Sequence, residues 1–328
     1  MKSKKSFFIL SLLLFSSIFS TFAQEKKESL RFIHLTDIHL IFSPENYTHK
    51  FINGRYNYFW KDSQPIKDFF KTVPSKLNPD FIAITGDLVD FYEAETNDGR
   101  VLGTQIEQFK TLIDSITNHT LYLTLGNHDI TSYPKSGYHQ NDAAKARATW
   151  IKNAPSFSNG TYYSRLYDVG STTYRLIFID NSYFSKRDNK NQADFIIDKP
   201  QLDWLKSQLK ASSTDKEIIF MHMPLPLLNN DESNKESYEE YVNRSRTKEF
   251  MDIITKTENS SVQAIVAGHE HINDLYKFQF SQEQSFTQIF TGAFGNKIEN
   301  WRLFELTESD FVVYDTGSSS NKTIIPLQ

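Results

Sequence analysis

Histidine, aspartate and asparagine recur in five short segments of the chain. The segments are Asp37-Ile38-His39, Gly86-Asp87-Leu88-Val89-Asp90, Gly126-Asn127-His128-Asp129, an isolated His222, and Gly268-His269-Glu270-His271. Carboxylate, amide and imidazole ligands without thiolate suit Mn, Fe or Zn ions better than Mg or Ca ions. The chain has no cysteine, which excludes thiolate ligands and cysteine nucleophiles. The residue types therefore favour chemistry that depends on a bound metal ion.

The number and spacing of these residues indicate more than one ion. The candidate metal ligands are Asp37, His39, Asp87, Asn127, His222, His269 and His271. In an extended segment, residues two positions apart lie on the same face, so Asp37 and His39 can meet one ion, as can His269 and His271. These ligands are too many for one four-coordinate zinc ion. We therefore expect two ions that share a bridging carboxylate, which is a site able to catalyse hydrolysis.

Each segment follows a short apolar run that is typical of a buried strand. The predicted strands are Phe32–Thr36, Phe81–Thr85, Leu121–Leu125, Tyr174–Ile179, Ile218–Met221 and Ala264–Ala267. The predicted amphipathic helices are Gln64–Leu77, Thr104–Thr117, Asp142–Lys152, Pro200–Lys210 and Ser245–Lys256. This alternation predicts an α/β fold with helix-covered sheets. Ligands bind beyond the carboxyl ends of strands in such folds, so one pocket can collect all five segments.

The end of the chain has a different pattern. Antiparallel strands are predicted at Leu275–Phe280, Phe286–Thr291, Arg302–Leu306 and Phe311–Asp315. We expect these strands, from about residue 274, to complete a sheet within a single domain over residues 24–328. Two loops are also predicted: a mobile acidic one over residues 229–240, and an aromatic one over residues 47–60. The aromatic loop, which contains Arg55, would either line the substrate site or pack on the core.

The first 23 residues resemble a cleavable secretory signal peptide. Three lysines precede an apolar run, and the run ends in Thr21-Phe22-Ala23. We therefore expect a secreted or periplasmic protein without a transmembrane anchor after cleavage; the alternative is an uncleaved anchor. The formal net charge is −4 and becomes more negative without those lysines. An acidic protein of this kind is not expected to bind nucleic acid.

The five segments, in this order, resemble the motifs of the calcineurin-like metallophosphoesterase superfamily: D-x-H, G-D-x-x-D, G-N-H-D, a lone H after a strand, and G-H-x-H. The resemblance runs from Asp37 to His271. It implies a four-layer α/β/β/α sandwich with mixed sheets and two divalent metal ions, which are Mn, Fe or Zn. It also implies hydrolysis of a small phosphorylated substrate, a phosphomonoester or a phosphodiester, by a metal-activated hydroxide.

The resemblance further implies a role for each ligand. One ion would be held by Asp37, His39 and His271, the other by Asn127, His222 and His269, with Asp87 bridging the two. His128 would protonate the leaving oxygen or hold the phosphate. Asp129 would orient His128, and Asp90 would support a metal-binding imidazole, because ligating histidines usually bond a carboxylate or carbonyl through their other nitrogen.

Two alternatives remain open at the level of function. One is a catalytically idle relative that retains metal and acts as a surface binding module. The other is a hydrolase that uses the metals to cleave a different kind of bond.

The chain also differs from one subfamily, the purple acid phosphatases. These enzymes have a metal-binding tyrosine at the position where this chain has Asp90, so no tyrosinate-to-iron charge-transfer colour is expected.

Overall fold

The structure is a computed structural model. It describes residues 27–134, 142–182, 197–212, 214–228, 230–231, 234–280 and 285–327. The predicted signal peptide at residues 1–23 lies outside these ranges. Within them, no helix has both the length and the apolar character that crossing a membrane requires.

The strands are short and are distributed along the whole described chain. In its first half they are β1 (Leu30–Leu35), β2 (Phe81–Thr85), β3 (Glu93–Glu95), β4 (Val101–Leu102), β5 (Leu121–Thr124), β6 (Ser132–Tyr133), β7 (Tyr163–Val169) and β8 (Thr172–Phe178). In its second half they are β9 (Lys216–Phe220), β10 (Asn230–Asp231), β11 (Asn234–Lys235), β12 (Val262–Ala267), β13 (Asp274–Gln279), β14 (Ser285–Phe290), β15 (Arg302–Leu306), β16 (Asp310–Tyr314) and β17 (Lys322–Pro326).

The helices of the described residues lie between these strands. They are α1 (His49–Tyr56), α2 (Gln64–Leu77), α3 (Gln105–Ile116), α4 (Ala143–Asn153), α5 (Lys199–Ala211), α6 (Tyr238–Ser245) and α7 (Lys248–Lys256). Short 3-10 helices occur at Pro44–Asn46, His128–Ile130 and Pro155–Phe157.

Two six-stranded mixed sheets form the centre of the fold. The first has the order β17-β16-β15-β1-β2-β5, and the second has the order β13-β14-β12-β9-β8-β7. In the first sheet β1, β2 and β5 are parallel, and in the second β8, β9, β12 and β14 are parallel. The two parallel blocks supply the strand ends after which the predicted metal ligands occur.

The sheets face each other across an aromatic core and are covered by helices on their outer faces. The ring of Phe32 on β1 lies 5.6 Å from that of Phe220 on β9, and Tyr122 on β5 lies 5.3 Å from Phe178 on β8. Helices α5, α6 and α7 form a separate buried cluster with outward-facing side chains of the second sheet. Buried residues of α2, α3 and α4 belong to the cluster that contains the first sheet. The predicted four-layer α/β/β/α sandwich is therefore confirmed.

The strands after residue 274 join both sheets: β13 and β14 extend the second, and β15 to β17 extend the first. The predicted loops are partly wrong. Helix α1 occupies much of the aromatic stretch. Helix α6 begins at Tyr238, inside the predicted acidic loop, because Ser237 and Glu240 form a reciprocal capping box.

Candidate metal centre

The loops after β1, β2, β5, β9 and β12 meet at one end of the two sheets. Backbone hydrogen bonds join them: Asp37 N–H donates to the Gly86 carbonyl (3.1 Å), and Gly268 N–H donates to the His222 carbonyl (3.1 Å). Five of the predicted ligands have left-handed backbone conformations, with φ between 50° and 69°, namely Asp37, His39, Asp87, His269 and His271. Residues with a β-carbon adopt this conformation at a cost in free energy, and residues strained in this way are concentrated at functional sites.

The first group of side chains combines Asp37, His39 and His271. His271 Nε2 lies 3.2 Å from Asp37 Oδ1, and His39 Nε2 lies 3.7 Å from the same oxygen. One donor atom from each residue lies within 4.8 Å of the others. Asp37 is placed by Thr36, whose hydroxyl donates to Asp37 Oδ2 (2.7 Å). These three side chains are therefore close enough to bind one ion.

The second group combines Asp87, His222 and His269, and Asn127 adjoins it. The donor atoms of the first three again lie within 4.8 Å of one another. His222 Nε2 lies 3.2 Å from Asp87 Oδ2 and 3.2 Å from Asn127 Oδ1. Asp87 Oδ2 also lies 3.5 Å from His39 Nε2 in the first group. Asp87 is thus the carboxylate between the two groups, which is the position that a bridging ligand requires.

The donor set fits divalent cations. Asp37 Oδ1 and His39 Nε2 are buried, and neither has a hydrogen-bond partner among the described residues. Burying such atoms without a partner is costly, and a cation between them would remove the cost. The tautomers agree: His39 Nδ1 bonds Asp90 Oδ1 (3.0 Å), and His222 Nδ1–H donates to the Thr85 carbonyl (2.7 Å). In each ring Nδ1 is therefore occupied, and Nε2 is the nitrogen that can bind a metal once it has lost its proton.

His128 lies beside both groups. Its backbone N–H donates to Asp87 Oδ1 (2.9 Å), and its Nδ1–H donates to the Asp90 carbonyl (2.8 Å). Its ring centroid lies 4.8 Å from that of His39. The hydrogen bond at Nδ1 fixes the ring and leaves Nε2 free for a substrate oxygen.

The Asp129 carboxylate bonds backbone groups and not the His128 ring, so these contacts lend no support to the predicted orienting role. Its Oδ1 accepts the backbone N–H groups of Leu88 (2.9 Å) and Val89 (3.0 Å), and its Oδ2 accepts that of Gly126 (2.8 Å). The carboxylate instead ties the loop after β2 to the loop after β5. It thereby shapes the backbone that carries Asp87 and Asn127.

Asp90 connects the metal groups to helix α1. Its carboxylate accepts a bidentate pair of bonds from Arg55, at 2.7 Å from Nε and 2.6 Å from Nη2. Arg55 thus anchors Asp90, which in turn holds His39. Phe59, just after α1, stacks on the His39 ring at a centroid distance of 3.8 Å. The sequence suggested a substrate wall in this stretch, but it did not identify these supporting contacts.

Asn181 is a supporting residue that sequence reasoning missed. Its Oδ1 accepts the backbone N–H groups of His222 (3.2 Å) and Met223 (3.1 Å), and its Nδ2 donates to the Met223 carbonyl (2.6 Å). It follows β8, a predicted strand after which no metal-ligand motif was recognised. A polar Asp-Asn-Ser run directly after that strand was the available signal.

The charges of the site respond strongly to burial and to one another. Burial disfavours charge on His39, but its contacts with Asp37 and Asp90 outweigh burial and raise the pKa of His39 to about 9. Burial likewise opposes charge on His222, but Asp87 and Asp37 raise its pKa to about 10. Burial alone would raise the pKa values of Asp37 and Asp87, but His222 helps to hold both well below the usual range. In the metal-free protein, protons on the two histidines thus balance the negative charge of the two carboxylates.

The sequence matches the calcineurin-like phosphoesterase family over residues 30–273. This chain belongs to that family. The structure of PhoD is similar, with a TM-score of 0.57 and 12% identity, over 92% of this chain and 69% of that one. GAP50, the anchor in the inner membrane complex of Plasmodium, has a TM-score of 0.50 and 15% identity, over 92% of this chain and 90% of that one. At such identities both structures show the fold alone. No functionally curated protein matches the chain significantly.

Metal binding by this family member should release protons. His39 and His222, with pKa values of about 9 and 10, are protonated at pH 7.5 in the metal-free protein. Ligation through Nε2 requires the unprotonated ring, so we expect about two protons per chain to be released and metal affinity to fall as the pH falls. Calorimetric titration with Mn²⁺ in two buffers of different ionisation enthalpy measures this number. Equal heats in the two buffers would contradict the expectation.

Arg55→Met should weaken both the fold and the metal site. It removes the guanidinium that pairs with the fully buried Asp90 carboxylate and leaves the weaker bond to His39 Nδ1. Losing the guanidinium of a buried ion pair costs about 2–4 kcal/mol of unfolding free energy, and weaker support of His39 lowers metal affinity about 10- to 100-fold. Urea unfolding and metal titration measure the two effects. Arg100→Met, which removes an exposed pair with Asp98, is the matched control and should change neither quantity appreciably.

Proposed function

We propose that this protein is an exported phosphoesterase that hydrolyses phosphomonoesters or phosphodiesters with two divalent cations, which are Mn, Fe or Zn. Family membership supports a metal-dependent hydrolase. The observation that carries the proposal is the pair of donor groups around Asp87, together with the buried, unpartnered Asp37 Oδ1 and His39 Nε2. A cation between the loops would give both atoms a partner.

The proposed ligand assignment follows the two groups of side chains. One ion would be held by Asp37, His39 and His271, the other by Asn127, His222 and His269, and Asp87 would contact both. The cations would supply a water molecule acidified to near-neutral pKa and would stabilise charge on the phosphoryl oxygens. They would also make the site attractive to an anion, although the chain carries a formal net charge of −4.

The remaining steps belong to the side chains of the chain itself. Burial lowers the pKa of His128 in the metal-free protein, so its ring would take a proton on Nε2 beside an anionic phosphoryl group, whose charge favours the protonated ring. His128 would then donate that proton to the leaving oxygen, while its Nδ1–H bond to the Asp90 carbonyl maintains the direction of the ring. Arg55 would keep Asp90 in place. Phe59 would pack over His39 and limit water at the supported face of that ring.

A catalytically idle binding module is the second candidate, and the fold does not discriminate against it, because GAP50 is described as an anchor and has a similar fold. Two features of this chain support catalysis instead. All seven candidate ligands are present. His128 belongs to neither of the two groups described above, although its ring nitrogen also lies within 4.8 Å of donor atoms of His39 and Asp90. A histidine whose Nε2 faces the metal groups is where a proton donor to the leaving oxygen would lie.

The experiment that tests the function is a hydrolysis assay with purified, metal-stripped protein. p-Nitrophenyl phosphate and bis-p-nitrophenyl phosphate are supplied with Mn²⁺, Zn²⁺, Fe²⁺ or Mg²⁺, or with a chelator. We expect turnover of at least one ester after metal addition and none in excess chelator. Activity that persists after exhaustive chelation would exclude the metal-dependent mechanism. Export is tested separately by N-terminal sequencing, which should give a mature chain that begins after Ala23.

A further inference from the structure

A groove with apolar walls opens beside the second metal group. Its volume is about 320 Å³, and its lining includes His269, one of the proposed metal ligands. The remaining lining is mostly apolar and comes from the loop after β9, from the end of β14 and from the residue that follows His271. Among these residues are Met223, Pro224, Leu225, Leu227, Ile272 and Phe290.

Two residues of the groove lining expose apolar surface to solvent. Leu227 is 39% exposed and Ile272 is 44% exposed, although most large apolar side chains of the described residues are buried. Leu225 and Phe290 also line the groove and are buried. An exposed apolar surface beside a reactive centre is a feature of binding clefts rather than of ordinary protein surface.

Hydrogen bonds hold the wall of the groove in one conformation. Gln288 accepts the Leu225 N–H (2.8 Å) and donates to the Leu225 carbonyl (2.9 Å). The Tyr241 hydroxyl donates to the Pro226 carbonyl (2.9 Å), and Arg244 donates to the Leu227 carbonyl (3.0 Å). A wall fixed in this way needs no reorganisation when an apolar group enters, so burial of that group is available as binding energy.

A charged residue in the groove lining limits which substrate groups the groove can bind. Glu270 also lines the groove and lies at its exposed rim. A carboxylate there repels a second anionic group on the substrate but not an uncharged one.

We propose that this groove binds the alcohol portion of the substrate, and that the preferred substrates are phosphoesters of apolar, uncharged alcohols. The inference rests on the proposed function, because the groove is assigned to the substrate through its contact with the metal ligand His269. It extends that function to the part of the substrate beyond the phosphoryl group, which would be an apolar, uncharged alcohol.

The test is a homologous series of esters. We expect kcat/KM for n-alkyl phosphates, or for p-nitrophenyl n-alkyl phosphodiesters if only diesters are cleaved, to rise about 10- to 100-fold from ethyl to hexyl. An ω-carboxylate on the hexyl chain should cancel most of the gain. Leu227→Asn and Ile272→Asn should each flatten the dependence on chain length. Leu166→Asn is the control. Leu166 is 52% exposed on β7, in the second sheet and outside the groove lining, so this variant should leave the dependence on chain length unchanged.

A binding measurement separates failure of the groove from failure of the function. Methylphosphonate and n-octylphosphonate are titrated calorimetrically into manganese-loaded protein. Hydrolysis with no dependence on chain length would overturn the groove and retain the phosphoesterase. No hydrolysis, but tighter binding of octylphosphonate that Leu227→Asn abolishes, would overturn the phosphoesterase and retain the groove. Equal affinity for both phosphonates would overturn the groove whatever the activity.

Discussion

Asp87→Asn lowers kcat by about 10³-fold or more, which is the largest effect that we expect from one substitution. In the wild type, Asp87 Oδ1 accepts a hydrogen bond from the backbone N–H of His128 (2.9 Å), and the oxygen of the asparagine amide can still accept it. The amide loses the negative charge that faces His39 Nε2 and His222 Nε2 at 3.5 and 3.2 Å. Because this carboxylate would contact both cations, its loss weakens the binding of both and the stabilisation of the transition state.

Metal content and steady-state kinetics check this expectation together. The variant should retain fewer than two ions per chain after dialysis and should unfold no more readily than the metal-free wild type. Asp114→Asn is the matched control, because it removes an exposed carboxylate that pairs with Lys110 on the same helix. If Asp87→Asn turned over substrate at the wild-type rate with full metal occupancy, this result would contradict the bridging role of Asp87.

His128→Asn has the second-largest expected effect, and its size should depend on the leaving group. A positioned general acid contributes about 10²–10⁴-fold when the leaving oxygen is basic. We therefore expect kcat for an alkyl phosphate to fall about 10²- to 10³-fold. The fall for p-nitrophenyl phosphate should be about tenfold or less, because p-nitrophenolate departs without a proton.

The measurement is the slope of log kcat against leaving-group pKa, which should be steeper in the variant. Metal content should remain as in wild type, since His128 belongs to neither proposed ligand set. His119→Asn provides the control: it alters a histidine that precedes β5, at the opposite end of the strand from the site. Equal losses for alkyl and aryl esters would assign His128 to phosphate binding rather than to proton transfer.

The sequence predicted the ligand-bearing parts of the fold well because two patterns coincide there. Apolar runs mark β1, β2, β5, β9 and β12, and polar ligands follow each run directly. The parallel arrangement of strands places those ends together. Strand β2 and helix α2 were predicted with the bounds that the structure has.

The supporting residues were harder to predict because their roles depend on contacts distant in sequence. Helix α1 buries only Ile52, so it lacks the apolar stripe that marks other helices. Its attachment to the site runs through Arg55 and Asp90, which are 35 positions apart. Asp129 bonds backbone N–H groups some 40 residues away, at Leu88 and Val89, and no local pattern indicates that. The start of α6 is different, because Ser237 and Glu240 were a readable capping signal.

The most direct test of the central claim is anomalous diffraction from crystals of the protein loaded with Mn²⁺. We expect two manganese peaks per chain, one among Asp37, His39 and His271 and one among Asn127, His222 and His269. The Asp87 carboxylate should contact both. A single peak, or peaks away from these side chains at saturating metal, would contradict the two-cation site.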